Sequence, residues 1–153
     1  MSYALQRRLI ETAYKVGMPP GSKIQWGNSP FQAPAGGYTR ITILGGTTGR
    51  LIGIGRDSGY RYVGVIDVSI FVPRDQGESG LYAVADQVHD ALAYQSLSEG
   101  GTRILTESAP LVVLGPAGDW HQGSVSIDFT RDSYVLVPVW DFSTDFSPDF
   151  AIA

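Results

Sequence analysis

The stretch from Tyr60 to Val72 constrains this chain more than any other, because Tyr62, Ile66, Val68, Ile70 and Val72 share one parity along it. That is the period of a strand with one buried face. At about 3.3 Å per residue such a strand reaches roughly 40 Å, more than the core of a domain of 153 residues requires, so part of it is expected to project. A strand this long needs partners that alternate as it does. Tyr38 to Leu44 supplies one, with Tyr38, Arg40 and Thr42 set against Thr39, Ile41 and Ile43. Between the two, residues 45 to 59 contain six glycines, and Leu51, Ile52 and Ile54 lie between Arg50 and Arg56. The expectation is a long β-hairpin with a flexible, partly apolar, basic tip.

A second partner lies near the end of the chain, where Val125, Ile127 and Phe129 alternate with Ser124, Ser126, Asp128 and Thr130 as in a strand with one wet face. Ile24 to Trp26, Thr102 to Thr106 and Leu111 to Leu114 read as shorter strands, and 115 to 118 (Gly-Pro-Ala-Gly) as a turn. Tyr134 to Trp140 is apolar, but Pro138 restricts it to an edge or an arm. Helical spacing appears twice. Leu5, Leu9, Ala13, Ile10 and Tyr14 mark a first helix that Ser2 can cap and that Gly17, Pro19 and Pro20 end. Leu81, Val84, Ala85, Val88, Ala91 and Leu92 form the stripe of a second, with Ser79 as its expected cap. Helices and strands do not alternate as βαβ units do. The class expected is α+β, a mainly antiparallel sheet with two amphipathic helices packed on it, a projecting hairpin and a C-terminal extended arm.

Several chemistries are excluded or disfavoured. No cysteine is present, so disulfides, thiolate nucleophiles and cysteine zinc sites are ruled out. The two histidines, His89 and His121, have no metal-ligand spacing, and His89 is expected on the wet side of its helix. Residues 53 to 59 resemble a dinucleotide loop only loosely, since Ser58 stands where the third glycine is needed and a strand follows. Residues 46 to 50 lack the lysine of a phosphate loop, and no nucleophile elbow occurs. No catalytic, metal or cofactor residue is expected, and an enzyme is the least favoured reading. No apolar window approaches the about 20 residues of a membrane span, and the N-terminus lacks the order of a signal peptide.

Charge is unevenly placed. Residues 1 to 127 balance, while the net charge of -4 comes from Asp128, Asp132, Asp141, Asp145 and Asp149 against Arg131. The middle, 40 to 74, is locally basic through Arg40, Arg50, Arg56, Arg61 and Arg74. A neutral body with few lysines argues against a grip on phosphate, so DNA is expected to pass without specific binding. The chain ends in an Asp-Phe pair repeated every four residues, with Phe142, Phe146 and Phe150. Pro148 opposes a helix there, so an extended arm is expected, its phenylalanines set on a neighbouring copy and its aspartates against the basic middle.

One ordered series remains: Trp26, Asn28, Pro30 and Phe31, then Tyr38 and Arg40, then Arg61 and Gly64, then Phe71 and Pro73, followed by the amphipathic helix. From residue 2 to about 130 this resembles the tail terminator-like (tail completion) proteins of long-tailed bacteriophages. The resemblance implies a small α+β structural protein of the virion, made in the host cytoplasm. It implies a hexameric ring that caps the tail tube, stops its polymerisation and offers the surface to which the head connector attaches. Partners implied are further copies of itself, the tail tube protein and the head-neck connector, with no cofactor and no membrane. On that reading residues 1–130 form the domain and 131–153 an extension. The aromatic and proline residues of the series more often pack a core than touch a partner. A neck protein of the connector or a tube-forming tail protein has similar size and composition, and these are the nearest alternatives.

Overall fold

A computed structural model describes residues 3–50 and 59–133; residues 1–2, with the expected cap Ser2, 51–58, where the tip of the hairpin is expected, and 134–153 lie outside the described residues. The elements run α1 (Tyr3–Gly17), β1 (Ile24–Gln25), β2 (Tyr38–Arg50), β3 (Tyr60–Pro73), α2 (Ser79–Leu92), β4 (Ser96–Glu99), β5 (Thr102–Thr106), β6 (Leu111–Ala117) and β7 (Trp120–Ser133). The long alternating stretch is a strand of 14 residues. It pairs antiparallel with β7 along its whole length, from Tyr60↔Ser133 to Pro73↔Trp120. Strand order is β1-β2-β3-β7-β5-β4, with β6 also on β7. The far side of β7 is thus shared, β6 taking Trp120 to Val125 and β5 taking Phe129 to Ser133. Among the described residues only β1 runs parallel to its neighbour. The class is α+β, with a mainly antiparallel sheet.

Register sorts the side chains. Thr39 and Ile41 of β2, Ile66, Val68 and Ile70 of β3, and Val125, Ile127 and Phe129 of β7 are buried on one face. Both helices cover that face, α1 through Ile10 and Tyr14 and α2 through Leu81, Ala85, Val88, Ala91 and Leu92. Where they meet, a Cβ on Gly17 would stand 2.6 Å from the Ala91 Cβ, so the glycine that ends α1 also permits close helix contact.

Four details differ from the sequence expectation. First, β2 continues past Leu44 to Arg50, with an irregularity between Gly45 and Thr48. Gly45 and Gly46, expected in the hairpin tip, belong to the sheet because a Cβ would strike the Tyr62 hydroxyl from the first and the Val63 carbonyl oxygen from the second. Second, β6 runs through Gly115 and Pro116 to Ala117, and the turn is Gly118–Asp119. Leu114 is the extra residue of a bulge, Gly115 follows at φ 87, and Pro116 is tolerated because β6 is an edge strand. Third, β4, Ser-Leu-Ser-Glu, carries almost no apolar signal. It forms against β5, and its Glu99 takes a 2.6 Å ion pair from Arg8 of α1. Fourth, Glu78, not Ser79, holds the cap position of α2, without a side-chain cap bond. In addition β7 carries Arg131, Asp132 and Ser133 in register beyond residue 130.

One polar bond sits inside the core. The Tyr14 hydroxyl and the Thr39 hydroxyl lie 2.6 Å apart, joining α1 to β2. Burial pushes the Tyr14 pKa up to about 12, an effect the Thr39 bond partly opposes. The unfolded chain ionises this tyrosine near its ordinary value of 10.0, so the contribution to stability is complete below pH 10 and is lost as pH rises toward 12. Tyr14→Phe should therefore cost about 1 kcal/mol at neutral pH, where it strands the Thr39 hydroxyl, and flatten the stability loss above pH 10. Urea unfolding at pH 8 and pH 11 checks both, and an identical pH slope in the two proteins would refute the assignment.

Candidate assembly surfaces

The face of the sheet away from the helices has no helix layer among the described residues. Register places Tyr38, Arg40, Thr42 and Leu44 of β2, Arg61, Val63, Val65, Asp67, Ser69 and Phe71 of β3, and alternate residues of β7 from Trp120 to Asp132 on it. At one end three aromatic members of the expected series, Phe31, Tyr38 and Phe71, meet, and Trp120 joins them. Tyr38 stacks on Phe71 with ring centres 4.5 Å apart, Phe31 tilts against Tyr38 at 4.9 Å, and Trp120 meets Tyr38 edge-on at 5.5 Å. The Arg40 guanidinium lies over the Phe71 ring at 5.3 Å. This cluster folds the loop after β1 over the open face, and none of its four rings is fully exposed: Phe71 is buried, and Phe31, Tyr38 and Trp120 are partly buried.

Other members of the series stand elsewhere. Trp26 is half-buried and meets Tyr14 edge-on at 6.1 Å, so it closes the core next to β1. Asn28 is exposed at φ 55, a left-handed position its residue type tolerates in a turn, and Pro30 is exposed beside it. Pro73 ends β3 opposite Trp120. Arg50 is the last residue of β2, opposite Tyr60. Leu51, Ile52, Ile54 and Arg56, like Phe142, Phe146 and Phe150, lie outside the described residues.

Arg61 is engaged within the chain, giving two 2.8 Å bonds to the Asp132 carboxylate across β3 and β7. Midway along the open face Asp67 accepts from Ser124 at 2.7 Å and Ser126 at 3.3 Å. On the core face Arg131 is fully buried, donates to Gln6 Oε1 at 2.6 Å and sits over the rings of Tyr62 (4.7 Å) and Tyr3 (5.2 Å). Burial lowers its pKa from the usual arginine value, while the two tyrosines oppose that shift. It shares the parity of Val125, Ile127 and Phe129, a signal the sequence carried and the charge masked.

Two surfaces were not expected as such. Val112, Val113 and Leu114 of β6 are 57%, 37% and 59% exposed, a consecutive apolar ridge on an edge strand. Between α2 and the ends of β2 and β3, a cleft of about 130 Å³ is lined by Met18, Lys23, Gly37, Tyr38, Val72 and Val84 among others. Among the described residues no three His, Asp or Glu side chains are grouped to hold a metal, and no helix is long and apolar enough to cross a membrane.

The model of the phage tail terminator protein family matches residues 1–129. The chain belongs to this family. Phage tail terminators are structural tail proteins. A solved structure superposes with a TM-score of 0.67 over 90% of this chain and 99% of its own at 22% identity, and that likeness shows the fold alone. No curated protein sequence matches.

Gly64 has a structural reason to be a glycine in this terminator. A Cβ there would lie 2.7 Å from the Phe129 ring and 2.8 Å from the Leu44 carbonyl oxygen, in a buried part of β3. Gly64→Ala should lower stability by about 1–3 kcal/mol through overpacking, read as a lower urea midpoint; an unchanged midpoint would show that β2 yields at this crossing.

Proposed function

We propose that the protein caps the phage tail tube as a homo-oligomeric ring, six copies in number, which ends tube polymerisation and forms the surface to which the head connector attaches. The family match over residues 1–129 carries this reading. The exposed apolar residues of β6 support it, since an edge strand left open in solution invites association. The ring needs a heterologous contact, one face of a subunit on a different face of the next. DNA passes through the ring without sequence recognition, and the site of action is the junction of tail and neck.

Within that ring residues 1–130 serve as the body and the remainder as an arm, with Phe142, Phe146 and Phe150 resting on the neighbouring copy. The tip residues Arg50, Leu51, Ile52, Ile54 and Arg56 dock on the tube or the connector. Trp26, Asn28, Pro30, Phe31, Tyr38, Arg40, Phe71 and Pro73 hold the loop-strand framework that presents these elements. Electron micrographs of particles made without the protein test the reading: separated heads with overlong tails are expected. Normal particles would overturn it, and a complete lack of tails would point to a tube protein instead.

A further inference from the structure

At one edge of the sheet β4 has β5 as its only sheet neighbour among the described residues, so its outer side is an open strand edge. All four residues of β4 line a groove of about 600 Å³ whose other wall is α1. Leu9, Thr12, Ala13 and Val16 line that wall, with Leu97 on the β4 side. Val16 is 78% exposed, and Leu9, Ala13 and Leu97 are only partly buried against the core. The charged residues of the lining, Arg8 and Glu99, form a 2.6 Å ion pair with each other, and the remainder of the lining is uncharged. Arg8 and Glu99 also line an adjoining hollow of about 440 Å³, together with Ala4, Leu5, Gly100 and Gly101.

The end of β7 points to what covers this groove. Ser133 stands opposite Thr102 of β5, and Thr102 stands opposite Glu99 of β4. The outer side of β4 is therefore three strand spacings, about 14 Å, from Ser133. β7 and β4 are each antiparallel to β5, so both run toward this same end of the sheet. A chain that leaves Ser133 and crosses the small residues Gly100 and Gly101 would return along β4 antiparallel to it. Four extended residues cover the crossing, which brings Val137 beside Glu99 and leaves 137–140 to run along the four residues of β4. Residues 134–140 (Tyr-Val-Leu-Val-Pro-Val-Trp) carry no charge, as the greater part of the groove lining carries none. An added strand would be the new edge of the sheet, a position that tolerates Pro138.

We propose that residues 134–140 of the same chain cross the Gly100–Gly101 turn and fill the α1–β4 groove, adding a short strand to β4 and covering Leu9, Ala13 and Val16. The arm that reaches a neighbouring copy then begins at Asp141. This joint lies within one subunit and does not depend on the ring. Hydrogen exchange compares the full chain with one ending at Ser133: the outward amides of Ser96–Glu99 should exchange at least tenfold faster in the shortened chain. Equal rates would overturn the proposal. Should the shortened chain not fold, full-length Val137→Asp with Val139→Asp takes its place with the same expectation. The chain has no cysteine, so an introduced pair identifies the occupant. Thr12→Cys with Val139→Cys, treated with a bis-maleimide, should join the two cysteines within one chain, read as a monomer on a denaturing gel and as a linked peptide pair after digestion. Dimers joined through the same two positions would overturn the proposal, since the groove would then hold the segment of another copy. Absence of any link would overturn it as well, and none of these results bears on whether the ring forms.

Discussion

The pairing of β3 with β7 over fourteen residues is what the rest of the molecule depends on. It joins Tyr60 to Ser133 and Pro73 to Trp120, so the whole of α2 and three strands lie between the ends it brings together. Its register sets one row of side chains toward the helices and the other outward. A slip by one residue would exchange Ile66, Val68, Ile127 and Phe129 for Asp67, Ser69, Asp128 and Thr130, which makes the alternative register very costly. β2 then completes the buried face on one side, and β5 and β6 divide the other.

Polar contacts act on this frame at both faces. Outside, Asp67 gathers serine hydroxyls from β7, and Asp132 takes the bidentate Arg61, so β3 and β7 are tied at the middle and near one end. Inside, Arg131 is held by Gln6 and by the rings of Tyr3 and Tyr62, fixing the start of α1 over the end of the sheet. A lone charge there would be expensive to bury. Tyr14 and Thr39 repeat the device nearer the other end of α1. The helix is thereby positioned by hydrogen bonds as well as by its apolar stripe.

A structural tail protein needs surfaces more than it needs a reaction centre, and the described residues offer them at the sheet's periphery. The aromatic cluster around Tyr38 is self-satisfied and steadies a loop. Val112, Val113 and Leu114 of β6 stay exposed to solvent. The sheet edges carry the exposed apolar side chains of β6, while the buried face supplies the rigidity that keeps the edges in place.

Reading from the chain alone, the two helices, β2, β3, β5 and β7 were legible because period 3.6 and period 2 are local properties that burial of one face imposes on residue order. The tail terminator family was legible too, from the order and spacing of short motifs between Trp26 and Pro73. Other features required the fold. β4 has no pattern of its own and exists because β5 offers an edge and Arg8 an ion pair. Gly45 and Gly46 read as loop residues, yet they lie in the sheet because Tyr62 and Val63 come too close for any side chain. The run Leu111 to Leu114 showed a strand but not that it would be left at an edge, for exposure depends on which strands arrive beside it. Local order along the chain determines what each segment is able to form. Which surfaces remain open is decided only when residues far apart in the chain compete for the same neighbours, and that competition leaves no mark at any single position.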